Sequence, residues 1–218
     1  MRLIDEAARL MGMGPGPWPE PAEQALREAV ALAEAPPFHS LTRPCAFSFQ
    51  GEALLVDGVP VPGRGLARHL AGCRQGVLIG GTLGVQGDLL LKRQSLAGLT
   101  QGAAAQAALS ARLEWELDRL CQGLTPPAPG LSLTSRFSPG YGDLPLSFQP
   151  FLMERLEMGR LGVRLTSGLM MAPSKSVTAV AGWRCGPPSS RRKCAACPNT
   201  ACPYRKEEAD EEADHEIS

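Results

Sequence analysis

Two short apolar runs, Ala53-Leu54-Leu55-Val56 and Val59-Pro60-Val61, are separated only by Asp57-Gly58. That dipeptide tolerates positive φ at both centres of a two-residue turn, so it commits this part of the chain to an antiparallel β-hairpin. Helical spacing surrounds it. Leu3, Ile4, Ala7, Ala8 and Met11 share one face, and the Gly-Pro run over 12–21 ends that helix. A second helix is predicted over 21–35, with Ala22, Ala25, Leu26, Ala29, Val30 and Ala33 inward and Pro36-Pro37 stopping it. A short helix over 66–73 leads into a buried strand, Gly76-Val77-Leu78-Ile79, and a longer helix over 103–120 carries Leu109, Leu113, Leu117 and Leu120 on one side. After the Pro-rich linker 125–130 come a helix over 147–158 and an alternating segment over 170–180 that reads as a strand. Strands and helices alternate without βαβ regularity, which predicts an α+β fold: an antiparallel twisted sheet flanked by helices.

A chain of 218 residues with 44% hydrophobic side chains can bury a core without disulfide staples. No stretch reaches the roughly 20 continuous apolar residues of a membrane span. The first ten residues, MRLIDEAARL, place Asp5 and Glu6 where a signal peptide needs uninterrupted apolar sequence, so a cytoplasmic protein is expected. The formal net charge of zero conceals a split. Seven of the 22 acids fall within 207–218, which has no Lys or Arg, while 184–206 holds six basic side chains and no acid. Three regions follow: an α+β domain over 1–183, a Cys-rich basic segment over 184–206, and a flexible acidic tail over 207–218, most simply a solvated terminus.

Several chemistries are disfavoured. His39, His69 and His215 are the only histidines, and neither HExxH nor G-x-S-x-G occurs, so a hydrolytic triad or histidine metal centre is not expected. The segment Gly80-Gly81-Thr82-Leu83-Gly84-Val85-Gln86-Gly87 lacks the Lys-Ser/Thr of a Walker loop and the G-x-G-x-x-G spacing, and is read as a structural turn. His69 and Cys73 stand four apart and are read as an ordinary helix face, and Cys45, Cys73 and Cys121 as buried small hydrophobes.

Four cysteines behave differently. Cys185, Cys194, Cys197 and Cys202 follow the order C-x8-C-x2-C-x4-C, with a proline directly after each of the last two. In a chain without an export signal such a cluster points to a metal or redox centre. Tetrahedral zinc and an iron–sulfur cluster both accept four thiolates, and the uneven spacing leans toward iron–sulfur.

The most informative segment is Arg136-Phe137-Ser138-Pro139-Gly140-Tyr141-Gly142-Asp143. It puts a fixed cation, a phenol and a carboxylate on one loop whose Pro and Gly re-aim the backbone, an arrangement suited to a small zwitterion. Arg136-x-x-Pro139-Gly140-Tyr141, followed by Leu165-Thr166 and Met171-x-Pro173-x-x-Ser176-Val177, resembles the activation domain of cobalamin-dependent methionine synthase in its stand-alone form. Weaker similarity extends back to Thr82-Leu83-Gly84 and the helix with Glu114, Glu116 and Asp118. The chain departs from that family after Tyr141, where it reads Gly142-Asp143-Leu144-Pro145, and it has no matching acidic motif within 36–60.

The resemblance implies an accessory subunit for reductive reactivation, a component of methionine synthase rather than a self-sufficient catalyst. S-adenosylmethionine would be held by Arg136, Pro139, Gly140 and Tyr141, with Glu114 or Glu116 receiving its ammonium group. The partner would be a cobalamin-dependent methionine synthase lacking its own activation domain, with cobalamin on that partner and electrons from a flavodoxin- or ferredoxin-type donor. An alternative reading is an iron–sulfur or zinc redox protein that serves another corrinoid protein without binding S-adenosylmethionine. A zinc module for nucleic acid is disfavoured, because few aromatics accompany the basic run and the acidic tail competes with phosphate.

Overall fold

The computed structural model describes residues 3–14 and 16–186, which divide into two compact units. The unit formed by 38–84 and 117–186 contains the sheet. Its strands are β1 (His39–Gln50), β2 (Ala53–Val56), β3 (Val59–Pro60), β4 (Gln75–Thr82), β5 (Leu131–Leu133) and β8 (Ser176–Cys185), in the order β3-β2-β1-β4-β8-β5. All pairings are antiparallel. The hairpin expected at Asp57-Gly58 forms between β2 and β3, with φ of 49° and 80° at the two turn residues. A small ribbon, β6 (Arg164–Leu165) with β7 (Met171–Ala172), lies apart from the main sheet.

Helices cover both faces of this sheet. On one face α3 (Gly65–His69) and α6 (Gln149–Arg155), each with the leucine that directly follows it, supply Leu66, Ala67, Leu70, Leu152 and Leu156 to a core shared with Phe47, Leu54, Leu78 and Val180. Successive strand residues point to opposite faces, and Gly80-Gly81 shows both. A Cβ at Gly80 would run into the Met158 thioether, and one at Gly81 would lie 2.8 Å from Leu117 Cδ2 and 2.9 Å from Phe38. The pair is therefore glycine because two layers press on the strand from either side.

The other unit comprises 3–37 and 85–116. It holds α1 (Leu3–Leu10), α2 (Glu20–Ala33), nearly all of α4 (Gly84–Ala97) and the first part of α5 (Leu99–Gln122). Ala7, Ala8, Ala25, Leu26, Ala29 and Ala33 are buried, as the periodicity of the first two helices predicts. On α5 the buried face is built largely of alanine, with Leu109 and Leu113 among Ala104, Ala105, Ala107, Ala108 and Ala111.

Several boundaries differ from the sequence expectation. The Gly80–Gly87 segment is not a turn: Gly80 to Thr82 finish β4, and α4 begins at Gly84. The strand expected over 170–180 is two strands, β7 and β8, interrupted at Pro173. The helix over 147–158 is shorter, because Glu157 adopts a left-handed conformation that an α-helix cannot continue through. Strand β1 is also longer than any β signal in its sequence. Its residues 39–46 pair with β4 and only 47–50 pair with β2, so Pro44 lies in the half with a single neighbour.

Candidate functional site

The Arg136–Asp143 loop leaves the sheet beside β8. Thr134 N–H donates to Gly182 O at 2.9 Å, and Phe137 exchanges two backbone hydrogen bonds of 2.9 Å with Val180. Pro139-Gly140 then reverses the chain, with φ of +91° at Gly140. Tyr141 N–H donates to Ser138 O at 3.1 Å, Gly140 N–H to Leu144 O at 2.8 Å, and Leu144 N–H to Tyr141 O at 3.0 Å. Leu144 is 1% exposed and belongs to the core, so the far end of the loop is anchored by apolar burial.

Arg136 and Tyr141 leave this loop for different environments. The Arg136 side chain is only 8% exposed, and its Nη1 lies 2.7 Å from Asp118 Oδ1 and 3.6 Å from Cys121 Sγ. Tyr141 is 57% exposed, its ring 6.2 Å from that of Phe137. The guanidinium is thus held inward and the phenol is presented at the surface.

The acids of α5 differ in what the fold sets beside them. Glu116 is ion-paired with Arg112, which also donates to Ala33 O at 3.1 Å and lies over the Trp115 ring at 5.9 Å. Glu114 is exposed on α5. The acid that meets Arg136 is Asp118, on the part of α5 that belongs to the sheet-containing unit. Asp118 and Cys121, three residues apart, lie on neighbouring turns. Helix spacing groups them, but only the tertiary fold brings Arg136, 18 positions from Asp118, onto their face.

A second acid also organises the loop. Asp143 Oδ2 accepts from Arg64 N–H and Oδ1 from Gly65 N–H, both at 2.7 Å. These backbone donors stabilise the carboxylate and hold its pKa below the ordinary 3.8. At the other end, His69 Nε2 is 2.7 Å from Ser135 O, and the His69 ring is 5.3 Å from Phe137. His69 therefore serves the loop's start, while Cys73 is packed in the core at 1% exposure.

The thiols separate by burial. Cys45 is buried and its pKa is pushed from 9.0 up to about 12, chiefly by desolvation and secondarily by the Asp57 carboxylate. Cys185 is free and exposed at the end of β8. Among the described residues no three His, Cys, Asp or Glu side chains are grouped to hold a metal ion. The expected ligands Cys194, Cys197 and Cys202 lie outside the described residues. A separate concavity of ≈ 460 Å³, lined by Pro44, Asp57, Gln75, Leu124 and Trp183 among others, includes none of Arg136–Asp143. No helix among the described residues is long and apolar enough to cross a membrane.

No protein-family model and no curated protein matches the sequence. Among solved structures, the crystal structure of the MetH reactivation domain bound to AdoHcy matches with a TM-score of 0.56 and 16% identity, over 83% of this chain and 74% of that one. The chain thus has the mixed α+β fold of that reactivation domain, as the sequence resemblance implies.

Proposed function

We propose that this chain is a stand-alone reactivation subunit. It binds S-adenosylmethionine and presents the methyl group to the cobalamin of a methionine synthase that lacks its own activation domain. The observation that carries this reading is the inward-held Arg136 facing Asp118 on a loop of the Arg-x-x-Pro-Gly-Tyr type, within a fold shared with a domain crystallised with AdoHcy.

The chemistry belongs to the reagents. The partner's corrinoid, once reduced by one electron, would accept the methyl group of the sulfonium and leave S-adenosylhomocysteine. The electron comes from a flavodoxin- or ferredoxin-type donor. The chain contributes binding and orientation. Opposite charges 2.7 Å apart suit the two ends of an α-amino acid: the ligand carboxylate competes with Asp118 for the Arg136 guanidinium, and Asp118, 62% exposed, turns to the ammonium group. Asp118 replaces Glu116 in this role because Glu116 is engaged by Arg112. Tyr141, exposed beside Phe137, offers an aromatic edge to the rest of the ligand.

Calorimetric titration of the full chain with S-adenosylmethionine tests the reading. Binding should weaken on the order of a hundredfold in Arg136→Ala, the scale expected for a charged pair lost from a partly buried site. An unchanged affinity in that variant, with the fold intact by circular dichroism, would overturn it.

A further inference from the structure

We infer that Asp143 is a positioning residue, whose carboxylate braces the 135–143 loop against α3 so that Arg136 and Tyr141 are aligned before any ligand arrives. The functional half of this inference rests on the reading of S-adenosylmethionine binding given above.

Four observations support the brace. The two carboxylate oxygens of Asp143 are each spent on one of two consecutive backbone amides, Arg64 and Gly65, both at 2.7 Å. The turn that receives the carboxylate is Gly63-Arg64-Gly65, and both glycines are required by it. A Cβ at Gly63 would lie 2.6 Å from Asp143 O, where Gly63 also has φ of +81°, and a Cβ at Gly65 would collide with Asp143 Oδ1. The same short helix holds the loop's other end through His69 and Ser135 O at 2.7 Å. Between the two ties, Phe137 packs its ring near both His69, at 5.3 Å, and Tyr141, at 6.2 Å.

The loop is thus strapped to α3 at residues 135 and 143, and the functional side chains at 136 and 141 lie inside the strap. A loop fixed in this way loses less conformational freedom on binding than one that must be ordered by its ligand. The charged groups around the carboxylate are Arg64, itself ion-paired with Glu52 at 3.0 Å, and Arg68.

Gly65→Ala supplies a test that separates the brace from general destabilisation. In the parent chain the added methyl displaces the carboxylate. In an Asp143→Ala background it meets no carboxylate and should be neutral or favourable, since alanine is the better helix former. Amide hydrogen exchange on the ligand-free full chain reads the brace directly. Asp143→Ala should remove protection at Arg64 and Gly65 and also at Gly140 and Leu144, while Val180 stays protected. S-adenosylmethionine affinity should fall about tenfold in Asp143→Ala and in Gly65→Ala, with no further fall in the double variant. Wild-type protection at Gly140 and Leu144 in Asp143→Ala sinks the brace regardless of the ligand. If that protection is lost but the parent chain binds no S-adenosylmethionine, the brace stands and the functional reading fails.

Discussion

At the scale of single residues, the chemistry of this chain is set by which ionisable groups are desolvated and which are hydrogen-bonded. Cys45 shows the first case. Burial favours its neutral thiol and raises its pKa from 9.0 to about 12. A group whose pKa is higher in the folded state contributes stability that is complete below its unfolded value and is lost as pH climbs toward the folded one. The melting temperature should therefore fall between pH 9 and 12 in the parent chain, and this part of the fall should vanish in Cys45→Ala. Asp143 shows the opposite case. Its carboxyl is held below 3.8 by two backbone donors, so its tie to Arg64 and Gly65 is present above that value and is released as pH falls below it. Protection of those two amides should survive at pH 5 and disappear in stronger acid, which exchange measurements across that range will show. Lysine should not substitute for arginine at 136: its single ammonium cannot offer the planar fork that meets a carboxylate, and calorimetry on Arg136→Lys should find most of the affinity lost.

At the scale of elements, legibility followed local chemistry. The Asp57-Gly58 hairpin and the first two helices were visible because a turn dipeptide and an i, i+3, i+4 pattern are complete within a few residues. Strand β1 was hidden because Arg43-Pro44 interrupts a run that otherwise alternates. The sheet explains why proline is tolerated there. Ala46 exchanges bonds with Asp57, accepting from Asp57 N–H at 3.0 Å and donating to Asp57 Oδ1 at 2.9 Å, so it faces away from β4. Antiparallel alternation turns Pro44 the same way, toward a side where β2 does not reach, and no ladder bond is forfeited. Pro44→Val would restore a donor on that edge. Its effect on stability should be small, but it should promote concentration-dependent association, seen by sedimentation velocity. Helix α4 gives no such signal because most of its residues are not buried: of its 14 positions only Gly87 is, so the sequence carries no apolar stripe to read. Helix α6, by contrast, is held by its core contacts. Leu152 is fully buried among Leu78, Phe148 and Val180, and Leu152→Ala should cost about 2–5 kcal/mol in denaturant unfolding.

At the scale of the whole molecule, the proposed function requires a small amino-acid ligand, an electron and a large partner to meet on one chain. The loop was legible because Arg-x-x-Pro-Gly-Tyr is a compact pattern. Which acid of α5 faces the loop is not legible in the same way, since Glu114, Glu116 and Asp118 are equivalent as sequence and only the fold sets Glu116 beside Arg112 and Asp118 beside Arg136. The cysteine segment adds a separate electron question. Under the proposed function, adding the full chain, S-adenosylmethionine and a low-potential reductant to a cob(II)alamin-loaded methionine synthase without its activation domain should restore turnover. Arg136→Ala should abolish that recovery without altering turnover of the already methylated enzyme. If Cys185, Cys194, Cys197 and Cys202 hold an iron–sulfur cluster, anaerobically purified chain should contain iron and visible absorbance, and Cys194→Ser should slow recovery while leaving S-adenosylmethionine affinity intact. Zinc in place of iron would confine those thiolates to a structural role, and the electron would then have to reach the corrinoid from the external donor without passing through this chain.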